Sequence, residues 1–195
     1  MEYEGKIFIQ VLRGLKMTFI GIISENNTFE NIKNVLEKNL VKDTKLIHIS
    51  KKSIGNIKNI KFETIIIDLS LNDFINELCT IKHMCDVAKY VVINTDINTD
   101  FNIYNFKSTV ITYGLNRRAT ITISSITESS ILIYLQRNLK CLNGKTKEIG
   151  EEVVRVREEG NPKIYEVLII YSIFLIKQIP IMEQTLEKTN FFEEN

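Results

Sequence analysis

The chain of 195 residues has only two prolines and eight glycines, so it offers no flexible linker and gives no sign of a second independent domain. It has almost no charge of one sign: 25 basic against 24 acidic residues leave a net charge of +1. No global field draws it to nucleic acid or to an anionic membrane. It lacks a long hydrophobic run. The most apolar segment, Ile164 to Ile176, contains Glu166 and stops at Lys177, short of the roughly 20 residues a bilayer requires. A buried helix is expected there, and no membrane insertion. Residues Met1 to Phe8 carry Glu2 and Glu4 and no apolar core of signal length, so no secretory leader is expected. The three cysteines, Cys79, Cys85 and Cys141, are odd in number and fit no metal spacing. They are expected to be buried thiols in a reducing cytoplasm.

What is present is ordinary for a globular protein: 44% hydrophobic and 25% charged residues. A chain of this length buries roughly 70% of its unfolded surface and needs no staples. Residues 4–15 place Ile7, Phe8, Val11, Leu12 and Leu15 on one helical stripe. Met17–Ser24 is a continuous apolar run of the kind expected for a strand covered on both faces. A helix follows through Phe29, Ile32, Val35, Leu36 and Leu40, with Asn27 and Glu30 spaced as a capping box. Strands are predicted at Lys45–Ser50, Glu63–Ser70, Lys89–Thr95 and Ser108–Gly114. A helical stripe from Leu71 to Ile81, capped by Ser70, lies between the second and third of these. Buried β-branched runs alternating with amphipathic helices predict a parallel sheet with right-handed crossovers.

After Gly114 the pattern changes. Ala119–Ile126, Ile131–Arg137 and Lys147–Val156 are closely spaced strands, with a hairpin signal at Asn143-Gly144. An antiparallel meander is expected here. Asn161 and Pro162 are expected to open a final helix with an apolar face through Ile164, Val167, Leu168, Tyr171, Leu175 and Ile176. The tail from Phe191 to Asn195 is expected to fray. The expected fold is one α/β domain over residues 1–195, in three layers with a mainly parallel sheet. Residues 1–114 form its parallel part, 115–160 the meander and 161–180 a packing helix.

In such a sheet, ligands bind beyond the C-terminal ends of the strands. Four places qualify: Ser24–Thr28, Asp68–Ser70, Asn94–Asp96 and Tyr113-Gly114. A phosphate loop at the first would read G-x-x-x-x-G-K-S/T. The chain instead runs Gly21-Ile22-Ile23-Ser24-Glu25-Asn26-Asn27-Thr28. It has no lysine and no second glycine, and Glu25 places negative charge where phosphate would sit. Asp68 at a strand end is a candidate magnesium ligand through water, or a helix cap. Asn94-Thr95-Asp96 is a ligand-facing strand end, or an Asx turn. His48 and His83 have no visible nucleophile partner, and Arg117-Arg118 reads as a solvated turn. No nucleophilic triad assembles.

Lys89–Asn98 (KYVVINTDIN) followed by Ser108–Ile126 (STVITYGLNRRATITISSI) resembles the second half of the Mur ligase central domain. That family forms amide bonds with ATP in peptidoglycan synthesis. Its pattern is an apolar strand ending in N-x-D-D, then one ending in YG or FG, then a small residue opening antiparallel hairpins. Asn94 and Asp96 fit the first motif, with Ile97 in place of the second Asp. Tyr113-Gly114 fits the second, and Ala119 opens the hairpins. Glu151–Pro180 resembles the family's last strand, its G-x-H-N-x-x-N loop without the His, and its helix ending in G-I-P. Phe19–Lys38 aligns with the family's phosphate loop and helix: Asn26 matches, while Asn27 replaces glycine and Thr28 replaces lysine. Thr64–Ser70 resembles the strand with the magnesium-associated acid, here Asp68.

The flanking UDP-sugar and amino-acid domains, and the stretch with the carbamylated lysine, have no counterpart. The resemblance therefore implies a ligase scaffold without the ligase reaction: a protein-binding or regulatory pseudoenzyme of cell-envelope or spore biology, with no cofactor. A protein partner is expected, no nucleic acid, and a homo-oligomer is compatible with this. Two alternatives stand beside it. One is a small nucleotide or metabolite sensor using a remnant pocket of Ser24, Asn26, Asn27, Thr28, Asn94 and Asp96, with Asp68 as metal ligand. The other is a ligase subunit completed by another chain.

Overall fold

A computed structural model describes residues 17–39, 43–99, 105–155 and 163–180. The expected helix over 4–15 and the tail from Phe191 lie outside the described residues. One sheet of eight strands runs through the molecule in the order β10-β7-β6-β5-β4-β3-β1-β2. Its strands are β1 (Thr18–Ile23), β2 (Thr44–His48), β3 (Thr64–Ile67), β4 (Tyr90–Asn94), β5 (Thr109–Tyr113), β6 (Ile121–Ile126), β7 (Ser130–Leu135) and β10 (Gly150–Arg155). A separate antiparallel pair, β8 (Leu139–Lys140) and β9 (Thr146–Lys147), closes on a turn where Gly144 takes φ 84°. Pairing is parallel from β2 to β6 and antiparallel for β6–β7 and β7–β10.

Strands β3 and β4 are buried at every position. That is why their sequences are unbroken apolar runs rather than alternations. Four helices are described: α1 (Asn26–Asn39), the single turn α2 (Ile54–Ile57), α3 (Leu78–Val87) and α4 (Ile164–Lys177). Helices α1 and α4 cover one face, packing Ile32, Leu36, Val167, Leu168 and Phe174 on Ile20, Ile66, Val92, Ile111 and Ile133. Helix α3 and the segment before it cover the other face of the parallel half, through Phe74, Ile81 and Cys85 on Ile65, Ile67 and Ile93. These are the expected three layers.

Local departures have local causes. Helix α1 begins at Asn26, so Asn27 lies inside its first turn rather than at the cap. Glu30 pairs with Lys33 (3.4 Å) instead of reaching back. Ser70 does cap, accepting from Asn72 N. However, the first part of that helical stripe, Leu71–Glu77, is a 3₁₀ segment with a kink at Phe74 before α3 begins. The strand expected over Lys147–Val156 divides: Lys147 pairs with Leu139 in β8–β9, while Gly150 starts the pairing with β7. Ile149 N donates to Asn138 Oδ1 (3.0 Å) at the bend. Helix α4 starts at Ile164 with Lys163 in its N-cap position. Asn161 and Pro162, expected to open it, lie outside the described residues. Eleven consecutive residues of α4, Glu166–Ile176, are buried. Cys85 and Cys141 are core thiols, but Cys79 is exposed.

Candidate functional site

The parallel strands β1, β3, β4 and β5 end along one edge, and the register brings their last residues side by side: Ile23 opposite Ile67, Ile67 opposite Ile93, and Asn94 opposite Tyr113. Asp68 follows β3, and its backbone N–H donates to Ile23 O (2.8 Å). Its carboxylate Oδ1 receives two donors, Tyr113 O–H at 2.5 Å and Asn94 Nδ2 at 3.0 Å. Asn94 is fully buried, and its own Oδ1 accepts Asp96 N (3.0 Å), as in an Asx turn.

Asp96 is equally engaged. Its Oδ2 accepts Leu115 N (2.6 Å) and Tyr165 O–H (3.1 Å), and its Oδ1 accepts Asn116 Nδ2 (2.7 Å). Gly114 makes this possible. It has φ 155°, and a Cβ there would stand 2.8 Å from Asp96 Oδ2. Asn98 closes the lower side: its Oδ1 accepts Leu71 N (2.9 Å), and its Nδ2 donates to Leu69 O and Asn94 O, each at 3.1 Å.

The electrostatics follow from burial. Burial pushes the Asp68 carboxyl above its ordinary value, and the Tyr113 and Asn94 donors pull it part of the way back. Tyr113, with no exposed surface, is raised well above the usual phenol value by burial and then by the neighbouring Asp68 charge. Tyr165 is raised by burial and by Asp96.

The turn after β1 is built differently. Ser24 is buried; its hydroxyl donates to Glu25 O (3.0 Å), and its carbonyl accepts His48 Nε2 (2.8 Å). The His48 ring stacks on Phe29 at 4.8 Å. Asn26 and Asn27 are exposed in the first turn of α1, with Thr28 half-buried beside them. Of the residues expected to form a remnant pocket, Asp68, Asn94 and Asp96 thus share one hydrogen-bond network. Ser24, Asn26, Asn27 and Thr28 form the neighbouring turn, joined to it through the Ile23–Asp68 backbone bond.

Sequence reasoning missed the groups that complete the edge: Asn116, Asn98, Tyr165, Asn31 and Glu166. Glu166, in the first turn of α4, is only 4% exposed. Its Oε1 accepts Asn31 Nδ2 from α1 (3.0 Å), while its Oε2 has no partner. Burial raises its carboxyl, Asn31 and Lys163 lower it in part, and the charge of Asp68 raises it again. A buried carboxylate inside an apolar stripe was the available signal.

Among the described residues, no group of three or more His, Cys, Asp or Glu side chains is placed to hold a metal, and no helix is long and apolar enough to cross a membrane. No family model matches the chain, and no curated protein does.

Proposed function

We propose that this chain is a non-catalytic α/β scaffold of degenerate Mur ligase type that acts by binding another protein. The observation that carries this is the engagement of the strand-end carboxylates by donors of the chain itself. Asp68 Oδ1 and both oxygens of Asp96 accept five such donors. The phosphate turn has Thr28 where a phosphate-transfer enzyme presents a lysine, and it adds the negative charge of Glu25. Without that cation a transferring phosphoryl group loses its main electrostatic support. Partner binding would use the antiparallel meander, to which the exposed side chains Ile126, Ile149 and Val153 belong.

Affinity purification with mass spectrometry tests this reading. A reproducible protein partner that is lost from the Val153→Glu variant is the expected result; recovery of the chain alone would count against it. Thermal denaturation with millimolar ATP and magnesium is expected to show no shift. A nucleotide present at a hundred times its Kd would add about 2.7 kcal/mol, or about 5–11 °C in a domain of this size. Such a shift would overturn the proposal in favour of a nucleotide or metabolite sensor. The unpartnered Glu166 Oε2 beside the strand edge favours that second reading.

A further inference from the structure

The opposite end of α4 holds a cavity of about 310 Å³, at the lower end of the range for small-ligand sites. The helix has 14 residues, so this cavity lies about 20 Å from the strand edge described above. Phe174, Leu175, Ile179 and Pro180 give it an apolar wall, and β9 and β10 supply Lys147 and Glu152.

Its polar groups are held in place. Tyr171 is 2% exposed, and its hydroxyl donates to Glu152 Oε2 (2.9 Å). Lys147 is paired with the other Glu152 oxygen. The helix end is closed by the left-handed Gln178, so its last carbonyls are also taken: Phe174 O by Ile179 N, Leu175 O by Gln178 N, and Ile176 O by Leu142 N. Asn143 Nδ2 donates to Gln178 Oε1, which leaves the Gln178 amide nitrogen as a donor. The Glu152 oxygens, Gln178 Oε1 and the last helix carbonyls are thus occupied, while the lining keeps the ammonium groups of Lys145 and Lys147 and the Gln178 amide as donors. Two lysines against one glutamate leave the lining one positive charge in excess.

We infer that this cavity binds a small monocarboxylate with an apolar or aromatic body, the body against Phe174, Leu175 and Ile179 and the carboxylate toward Lys145 and Lys147. This site goes beyond the protein-binding proposal and does not depend on it.

Isothermal titration of the full chain at low ionic strength, with 3-phenylpropanoate and its neutral counterpart 3-phenylpropan-1-ol, tests the assignment. The carboxylate is expected to bind at least about tenfold more tightly than the alcohol. Lys145→Ala should weaken it by about fivefold. Thr146→Trp fills the cavity from the exposed strand β9 and should abolish binding without changing the melting temperature. Equal binding of acid and alcohol would overturn the inference. So would binding that survives Thr146→Trp, or no heat from either probe at millimolar concentration.

Discussion

Replacing Tyr113 with Phe removes one hydroxyl from the most connected point of the strand edge. The ring stays in a fully buried site, so packing is preserved and the change falls on the 2.5 Å bond to Asp68. Above the titration range of Asp68 that bond joins a donor to a charged acceptor, and its loss should cost about 2 kcal/mol. Where Asp68 is protonated, only a neutral bond is lost, costing about 1 kcal/mol.

The pH dependence has a definite sign. Burial holds the folded Asp68 carboxyl above its unfolded value of 3.8. Its contribution to stability is therefore complete below that value and is lost as pH rises through the folded one. The Tyr113 bond lowers the folded value. Without it that value rises further, and the variant loses more stability than the wild type on the way to neutral pH. Urea denaturation followed by circular dichroism from pH 4 to pH 8 should show the gap between the two proteins widening with pH. At pH 8 it should correspond to about 4–8 °C in melting temperature. A gap that is constant, or larger in acid, would refute the account of Asp68 as a buried carboxylate held by Tyr113.

Glu166→Gln should gain stability relative to the wild type as pH rises above 4.5, because the folded Glu166 carboxyl is raised by burial and its ionisation is unfavourable; denaturation curves that run parallel at all pH values would contradict this. Gly114→Ala should lose about 1–3 kcal/mol, since alanine at φ 155° would press its Cβ on Asp96 Oδ2. An unchanged urea midpoint for that variant would show that the Asp96 clamp is not tight.

The parallel half was legible because its central strands β3 and β4 are buried on both faces. Thr64–Ile67 and Tyr90–Asn94 read as unbroken apolar runs rich in β-branched residues, bounded by polar turns, which is the pattern of a short buried strand. The buried helix at Ile164–Lys177 was legible for the same reason. What escaped notice depends on distance along the chain. Tyr165 meets Asp96 across 69 positions and Glu166 meets Asn31 across 135, and no local spacing encodes either pair. The 3₁₀ segment at Leu71–Glu77 keeps a helical apolar stripe while the backbone kinks at Phe74, so periodicity alone could not separate it from α3. The capping pair Asn27–Glu30 failed because the backbone enters the helix earlier, with Phe29 N already bonded to Glu25 O (3.0 Å).

Helix α4 bears on how the chain is made. It stands late in the sequence, yet its side chains from Val167 to Ile176 complete the apolar cluster that β1, β4, β5, β6 and β7 begin. During synthesis those strands emerge first, with the greasy side of the sheet awaiting its cover. The meander can form from neighbouring hairpins, whereas the parallel crossovers must close long loops. A nascent chain halted before residue 164 would present Ile111, Ile121, Ile131 and Ile133 to water, a surface that invites capture by chaperones or self-association on the ribosome.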